Sequence, residues 1–171
     1  TTFVFATTIN VPADQSTIQA ALTAANATDT VLVQPGTYTE NIFWPETNGI
    51  KLISAGDSSN TIIDGGGTSS VIYMNPSSAT IDTTTLIQGF KITNGGGVSN
   101  GGGLFLNNAS PRIFQVFIGN NSSDDNGGGI YLNGSNSTLT EVIFSNNSSN
   151  SNNSNGGGMY LSGSNHTLLD I

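Results

Sequence analysis

The chain has 171 residues, 3 of them basic and 11 acidic, for a formal net charge of −8, and only 8% are charged against about a quarter in ordinary globular proteins. Glycine and asparagine number 22 each and, with serine and threonine, supply about half of the chain. Three bases, Lys51, Lys91 and Arg112, cannot neutralise a phosphate track, which excludes nucleic acid as a partner. The scarcity of Ala, Glu, Lys and Arg excludes a coiled coil or helical bundle. No apolar run approaches the roughly 20 residues of a membrane-spanning helix, and the absence of cysteine removes disulfides and thiolate metal sites.

In chain order, Thr1-Thr2-Phe3-Val4-Phe5 lacks a basic leader and reads as a strand at a processed, mature end. Ser16 to Ala25 is the one helical segment, with Ile18, Ala21, Leu22 and Ala25 at i, i+3, i+4 and i+7 behind Ser16 as N-cap. A single amphipathic helix here is suited to covering the open end of a strand stack. Strand-like stretches follow at Val31-Leu32-Val33, Asn41-Ile42-Phe43 and Ile50-Lys51-Leu52-Ile53. Thr61-Ile62-Ile63-Asp64-Gly65 aligns with Lys91-Ile92-Thr93-Asn94-Gly95, 30 residues on, and Val71-Ile72-Tyr73-Met74 carries an apolar-aromatic-apolar trio.

From there the sequence repeats. Three glycine triplets precede such trios: Gly101-Gly102-Gly103-Leu104-Phe105-Leu106, Gly127-Gly128-Gly129-Ile130-Tyr131-Leu132 and Gly156-Gly157-Gly158-Met159-Tyr160-Leu161, spaced 26 and 29 residues apart. Ile87, Ile113, Leu139 and Leu168 keep the same register at 26, 26 and 29. Two segments holding one register through an insertion mark a true repeat. A unit of this length cannot bury its own apolar face and must stack on its neighbours, so each repeat is read as one coil of a parallel β-helix. The inward columns are Ile87, Ile113, Leu139, Leu168; then Phe90, Val116, Val142, Ile171; then Ile92, Ile118, Phe144. The intervening Gly89, Gln115, Glu141 and Asp170 face water by strand alternation, with serine and threonine coating the outside.

Asn94, Asn120 and Asn146 close successive strands and form a structural turn ladder. Asparagine tolerates left-handed backbone better than other non-glycine residues, and stacked turn amides hydrogen-bond along the axis. The glycine triplets remove side chains where neighbouring coils would collide. The chain therefore divides into residues 1–30, a strand and capping helix, and 31–171, the coils. Asn165 to Ile171 follows Asn136 to Val142 and stops mid-strand, so the coils are expected to continue past the chain end or to meet a partner there.

Ile9-Asn10-Val11-Pro12-Ala13-Asp14, Thr17-Ile18-Gln19-Ala20-Ala21 and Asp29 through Ile42 together resemble the opening segment of secreted right-handed parallel β-helix proteins of the pectin-lyase-like superfamily. The coils with Gly127-Gly128-Gly129-Ile130, Phe117-Ile118-Gly119-Asn120 and Phe144-Ser145-Asn146-Asn147 resemble the GG-x-I and F-x-x-N repeats of polymorphic outer-membrane proteins. The resemblance covers essentially the whole chain. It implies an all-β, right-handed parallel β-helix with a short N-terminal capping helix, in a secreted or cell-surface, bacterial protein. It does not imply one activity, because the superfamily joins lyases, esterases and hydrolases to non-catalytic surface proteins.

The residues that such enzymes need are sought one set at a time. His166 is followed by Thr167 and Arg112 by Ile113, so neither the His-Gly nor the Arg-x-Lys of polygalacturonases is present. The only acid pair, Asp124-Asp125, lies in a Ser/Asn-rich loop, and the acids stacked around an arginine in pectate lyases are missing. Glu141 and Asp170, on adjacent coils about 4.8 Å apart, are the candidate for weak calcium binding, outweighed by their reading as a solvated column. Calcium is the only cofactor the residues suggest. His166 replaces Ser137 at a turn and reads as exposed. Sequons at Asn26, Asn108, Asn121, Asn136, Asn147 and Asn165 are mostly what this composition yields by chance.

Tyr73, Phe105, Tyr131 and Tyr160 share one place in four trios. Facing out, they form a ladder that stacks on sugar rings or a partner surface; facing in, they are a buried stack. The expected function is a non-catalytic extracellular or cell-surface scaffold: an adhesin, stalk or surface-assembly element, with glycans or other surface proteins as partners. Two alternatives stand beside it. One is the N-terminal part of a carbohydrate-active enzyme with catalytic coils elsewhere; the other is a subunit of an end-to-end filament, self-associating through the uncapped last coil.

Overall fold

Every named strand pairing is parallel, and the pairs follow the repeat register rather than the order of the chain. The structure is a computed structural model and describes residues 5–163 and 165–171; of the strand expected at Thr1 to Phe5, residues 1–4 lie outside it. Strands make up 43% of the chain and helix 4%, and the strands wind into a β-solenoid of about 6 turns. Each coil contributes to three faces. The first stacks Thr8–Val11, Thr30–Val33, Lys51–Ser54, Leu86–Gln88, the leading halves of Arg112–Gly119 and Thr138–Ser145, and Thr167–Leu169. Since Thr8–Val11 pairs with Thr30–Val33, this sheet runs unbroken across residue 30. The second face stacks Gly36–Thr39, Thr61–Asp64, Lys91–Thr93 and the trailing halves of the two long strands. The third stacks Ile42–Phe43, Ile72–Met74, Leu104–Asn107, Ile130–Asn133 and Met159–Ser162.

The core is the sum of the inward columns. Val31, Leu52, Ile87, Ile113 and Leu139 lie in register on the first face and are fully buried. Ile63, Ile92 and Ile118 do the same on the second. On the third, Ile72, Leu104 and Ile130 form one buried column and Met74, Leu106 and Leu132 another. Each such side chain is worth about 1.5–3 kcal/mol by removal from water. The pairing Ile63 with Ile92 corrects the alignment of residues 61–65 with 91–95: the offset is 29 residues, and Ile63 rather than Ile62 points inward.

The inward residues Ile113 and Val116 are three apart where a flat strand allows only even spacing. Gln115 supplies the reason. It sits at φ 53°, as Gly89 (80°), Glu141 (54°) and Asp170 (52°) do in the same column. The column expected as an ordinary outward strand position is therefore a left-handed bend between the first two faces. The next corner is turned by Asn94, Asn120 and Asn146, at φ 56°, 57° and 54°.

At the third corner a glycine triplet stands where coils approach most closely. Gly127 has φ +63°, and a Cβ on Gly128 would lie 2.0 Å from the Ser148 carbonyl oxygen and 2.8 Å from that of Gly157. No side chain fits there.

The helix is Ile18–Ala24, one turn shorter than the expected segment, and its N-cap is Thr17 rather than Ser16: the Thr17 hydroxyl accepts from the Ala20 N–H at 3.1 Å. Glu40 explains the choice. Its carboxylate accepts from the Ile18 and Gln19 N–H groups, both at 2.9 Å, placing a negative charge at the positive end of the helix. Ile18, Ala21 and Leu22 are buried against the first strands, where the helix packs on Thr8–Val11, Thr30–Val33 and Ile42–Phe43. Among the described residues no helix is long and apolar enough to cross a membrane.

Candidate functional site

The third face carries the aromatic residues on its outer side. Tyr73, Phe105 and Tyr131 alternate with Ile72, Met74, Leu104, Leu106, Ile130 and Leu132, all buried, while the rings stay half-exposed. That resolves the two orientations in favour of the outward one. The rings stack along the axis: Tyr73–Phe105 at 4.8 Å and 6°, Phe105–Tyr131 at 5.2 Å and 10°, Tyr131–Tyr160 at 5.3 Å and 6°. Phe43, read in the sequence only as part of a strand-like stretch outside the trios, adds a fifth ring, tilted 51° at 5.8 Å from Tyr73. The three inner rings turn their faces to one another. What they offer to solvent is a ribbed row of edges and tyrosine hydroxyls.

Two residues further along each strand runs an amide ladder. Asn107 Nδ2 donates to Asn75 Oδ1 at 2.8 Å, and Asn133 Nδ2 to Asn107 Oδ1 at 2.7 Å. Asn75 Nδ2 also donates to the Tyr73 hydroxyl at 3.1 Å. Rings and amides thus share one flat face, bordered by a shallow groove of about 280 Å³ between Phe43, Tyr73 and Phe105 and the loop residues Ser69, Ser99 and Asn100.

Inside the corners the amides do different work. Asn94, Asn120 and Asn146 turn the chain; Asn94 also bonds along the axis to Asp64, and on the next two coils the axial bonds pass through the following residues, Asn121 and Asn147. Asn121, buried, donates from Nδ2 to the Ile92 and Gly119 carbonyls and to Asn147 Oδ1, and its own Oδ1 accepts from the Gly95 N–H. Asn147 donates to the Ile118 carbonyl. A second ladder, half-buried to exposed, joins Asn100, Asn126 and Asn155. Most of these bonds run to the coils above and below, so the amides fix the stacking register. Burial also withdraws the Asn121 sequon from modification. Hydroxyls line the interior as well, contrary to the expectation of a purely outer coat: Thr61, Thr85, Ser123, Ser135 and Ser137 are buried, with Ser54 and Thr61 paired at 2.6 Å and Ser135 and Ser137 at 2.7 Å.

Most of the acids hold the backbone. Glu46 accepts from the N–H groups of Ser77, Ala79 and Ser78, which bring its carboxyl down to about 2. Asp29 is lowered by the Thr7 and Asn26 N–H groups, and Asp14 by that of Asn10. The hydroxyl and N–H of Ser59 lower Asp57, and those of Thr84 lower Asp82. Asp64 accepts from the Gly66 N–H and Asn94 Nδ2. With Glu40 at the helix, seven of the eleven acids close loops or cap backbone.

Glu141 and Asp170 occupy successive left-handed bends, and Glu141 accepts from Gln115 Nε2 at 2.9 Å. Among the described residues no three His, Asp or Glu side chains gather as a metal-binding group. Asp124 and Asp125 are exposed, their N–H groups donating to the Val98 and Ser99 carbonyls of the coil before. His166 is not the exposed turn residue expected: both ring nitrogens are shielded from solvent without partners, and burial lowers its pKa. A comparison with protein-family models, characterised proteins and solved structures finds no match to this chain.

Proposed function

We propose that the chain is a non-catalytic scaffold of a secreted or cell-surface protein, of bacterial type, that presents its flat aromatic-amide face to glycans. The observation that carries this reading is the deployment of charge. Seven carboxylates serve backbone N–H groups, so the acids sit where loops need closing rather than in a shared cleft where one tunes another for acid–base work. The outer face offers what a neutral carbohydrate takes: tyrosine hydroxyls and a row of amides for its hydroxyls, with the ring edges as apolar contact between them. The resemblance of the coils to pectin-lyase-like β-helices and to polymorphic outer-membrane protein repeats supports a surface setting, and rigid stacking supports a role in display or adhesion.

The test is retention of the chain on insoluble polysaccharides, run beside assays for new reducing ends and unsaturated products. Retention without product, weakened by Tyr131→Ala, is expected. Product release, unaffected by Tyr131→Ala, overturns the scaffold in favour of an enzyme.

A further inference from the structure

Two of the three bases in the chain meet in one place. Lys51 and Arg112 line a groove of about 560 Å³ at the corner leading into the first face, together with Leu86, Thr28, Thr83 and Thr84. The strand register sets Lys51 beside Leu86 and Leu86 beside Arg112, so the two cations stand two rungs apart, about 10 Å along the axis, with an aliphatic side chain between them. Both are exposed. Among the described residues neither makes an ion pair, although the chain holds eleven acids. Asp82, the acid nearest in sequence to Thr83 and Thr84, is turned to the Thr84 N–H and hydroxyl. The third base, Lys91, lies elsewhere, 5.6 Å from the Phe117 ring centroid on the second face.

We propose that this groove binds an extended glycan carrying anionic groups, carboxylate or sulfate, laid along the solenoid axis across three coils. An acidic protein repels anions at long range, so an anionic ligand needs local cations free of internal partners, and the groove is where they are. Arg112 presents a planar fork of donors that matches an oxyanion, and Lys51 a compact second charge. The threonine hydroxyls donate to and accept from the carrier's own hydroxyls, and Leu86 covers its apolar side. Two charges are too few for a nucleic-acid backbone and suit a sparsely charged polysaccharide. The site lies on another corner from the aromatic face and stands or falls separately from it.

One polymer backbone in three forms isolates the chemistry: dextran sulfate, carboxymethyl dextran and unmodified dextran, each immobilised. The full chain is retained more strongly by one or both anionic forms than by dextran. Retention weakens once salt passes about 0.1 M, where the Debye length of about 10 Å matches the spacing of the two cations, and is lost by about 0.3 M. Lys51→Gln and Arg112→Gln each weaken it about threefold and the double variant about tenfold; Arg112→Lys recovers part of the loss. Lys91→Gln leaves it unchanged, and Trp44 fluorescence confirms that every variant is folded. Sulfate and carboxylate forms are told apart by which polymer retains the chain. Equal retention on unmodified dextran, no retention on either anionic form at low salt, or retention indifferent to the double substitution overturns the proposal.

Discussion

The interior coils and the last coil use the same residues at the same positions to different effect. Ile87, Ile113 and Leu139 are fully buried, whereas Leu168, next in that column, is 39% exposed; Phe90, Val116 and Val142 are buried, and Ile171 is 52% exposed. The other end has the same geometric problem and a different answer, since Ile18 and Leu22 of the helix lie over the first strands and are fully buried there. A solenoid residue thus owes its stability to the coils on either side, and its own identity sets only how much there is to gain. A coil with two neighbours should therefore respond to substitution more strongly than one with fewer.

The largest contrast is expected at the glycines. A Cβ on Gly128 runs into two carbonyl oxygens, whereas one on Gly158 meets only Phe144 carbons at 3.9 and 4.0 Å. Gly128→Ala should cost more than about 4 kcal/mol or prevent folding, while Gly158→Ala should fall within about 0.5 kcal/mol of the parent. Urea unfolding followed through the single Trp44 measures both. Similar costs at the two positions would mean that the coils do not stack as described.

Leucine truncation in one column comes next. Leu139→Ala removes a side chain enclosed by Ile113 and Leu168 and should cost about 2–5 kcal/mol. Leu168→Ala gives up a half-exposed contact and should cost about 1 kcal/mol or less. Equal losses in thermal or urea melts would show that another surface covers the last coil in solution.

These contrasts also mark what the sequence makes legible. The parallel solenoid, its inward columns and its one helix follow from apolar spacing and a repeat held through an insertion, because burial periodicity is written directly in residue type. The three-residue step from Ile87 to Phe90 was visible too, yet its cause, a left-handed residue within the strand, was not: Gln115 and Glu141 are not residues that announce positive φ. Partners of polar groups were least legible. Nothing in Asn120-Asn121 says that the first turns the chain and the second bonds across coils. The meeting of Lys51 with Arg112 depends on a coil of irregular length between them, and Phe43 joins the aromatic ladder from a strand that lacks the apolar-aromatic-apolar trio.

Acid should separate the two ends in order of pH. The lowered carboxyls Asp14, Asp29, Glu46, Asp57 and Asp82 all belong to the first 82 residues. Each favours its ionised form in the folded state, so its contribution is present above the ordinary carboxylate value and lost as pH falls through the lowered one. For Glu46 that window runs from about 4.5 down to about 2. Exchange protection of the loop at residues 76–79 should be lost only in that window, and that of residues 57–60 only below the ordinary carboxylate value. Glu46→Gln should flatten the response at 76–79 and leave 57–60 unchanged. Loss of protection already at pH 5.5 would refute the assignment.

The smallest expected effect belongs to His166. Burial favours its neutral form, so folding resists protonation, and stability drops as pH falls below the ordinary histidine value of about 6.5. Protection of Thr167–Leu169 should therefore weaken between pH 7 and 5.5, before any loop held by a carboxylate responds. Ser137 shows what the same place holds one coil earlier, a buried hydroxyl paired with Ser135. His166→Ser should abolish the pH dependence of the last strand and leave exchange in Thr138–Ser145 untouched, because that strand is enclosed by coils on both sides. A last strand still loosening below pH 6.5 in His166→Ser would exclude this histidine as the cause.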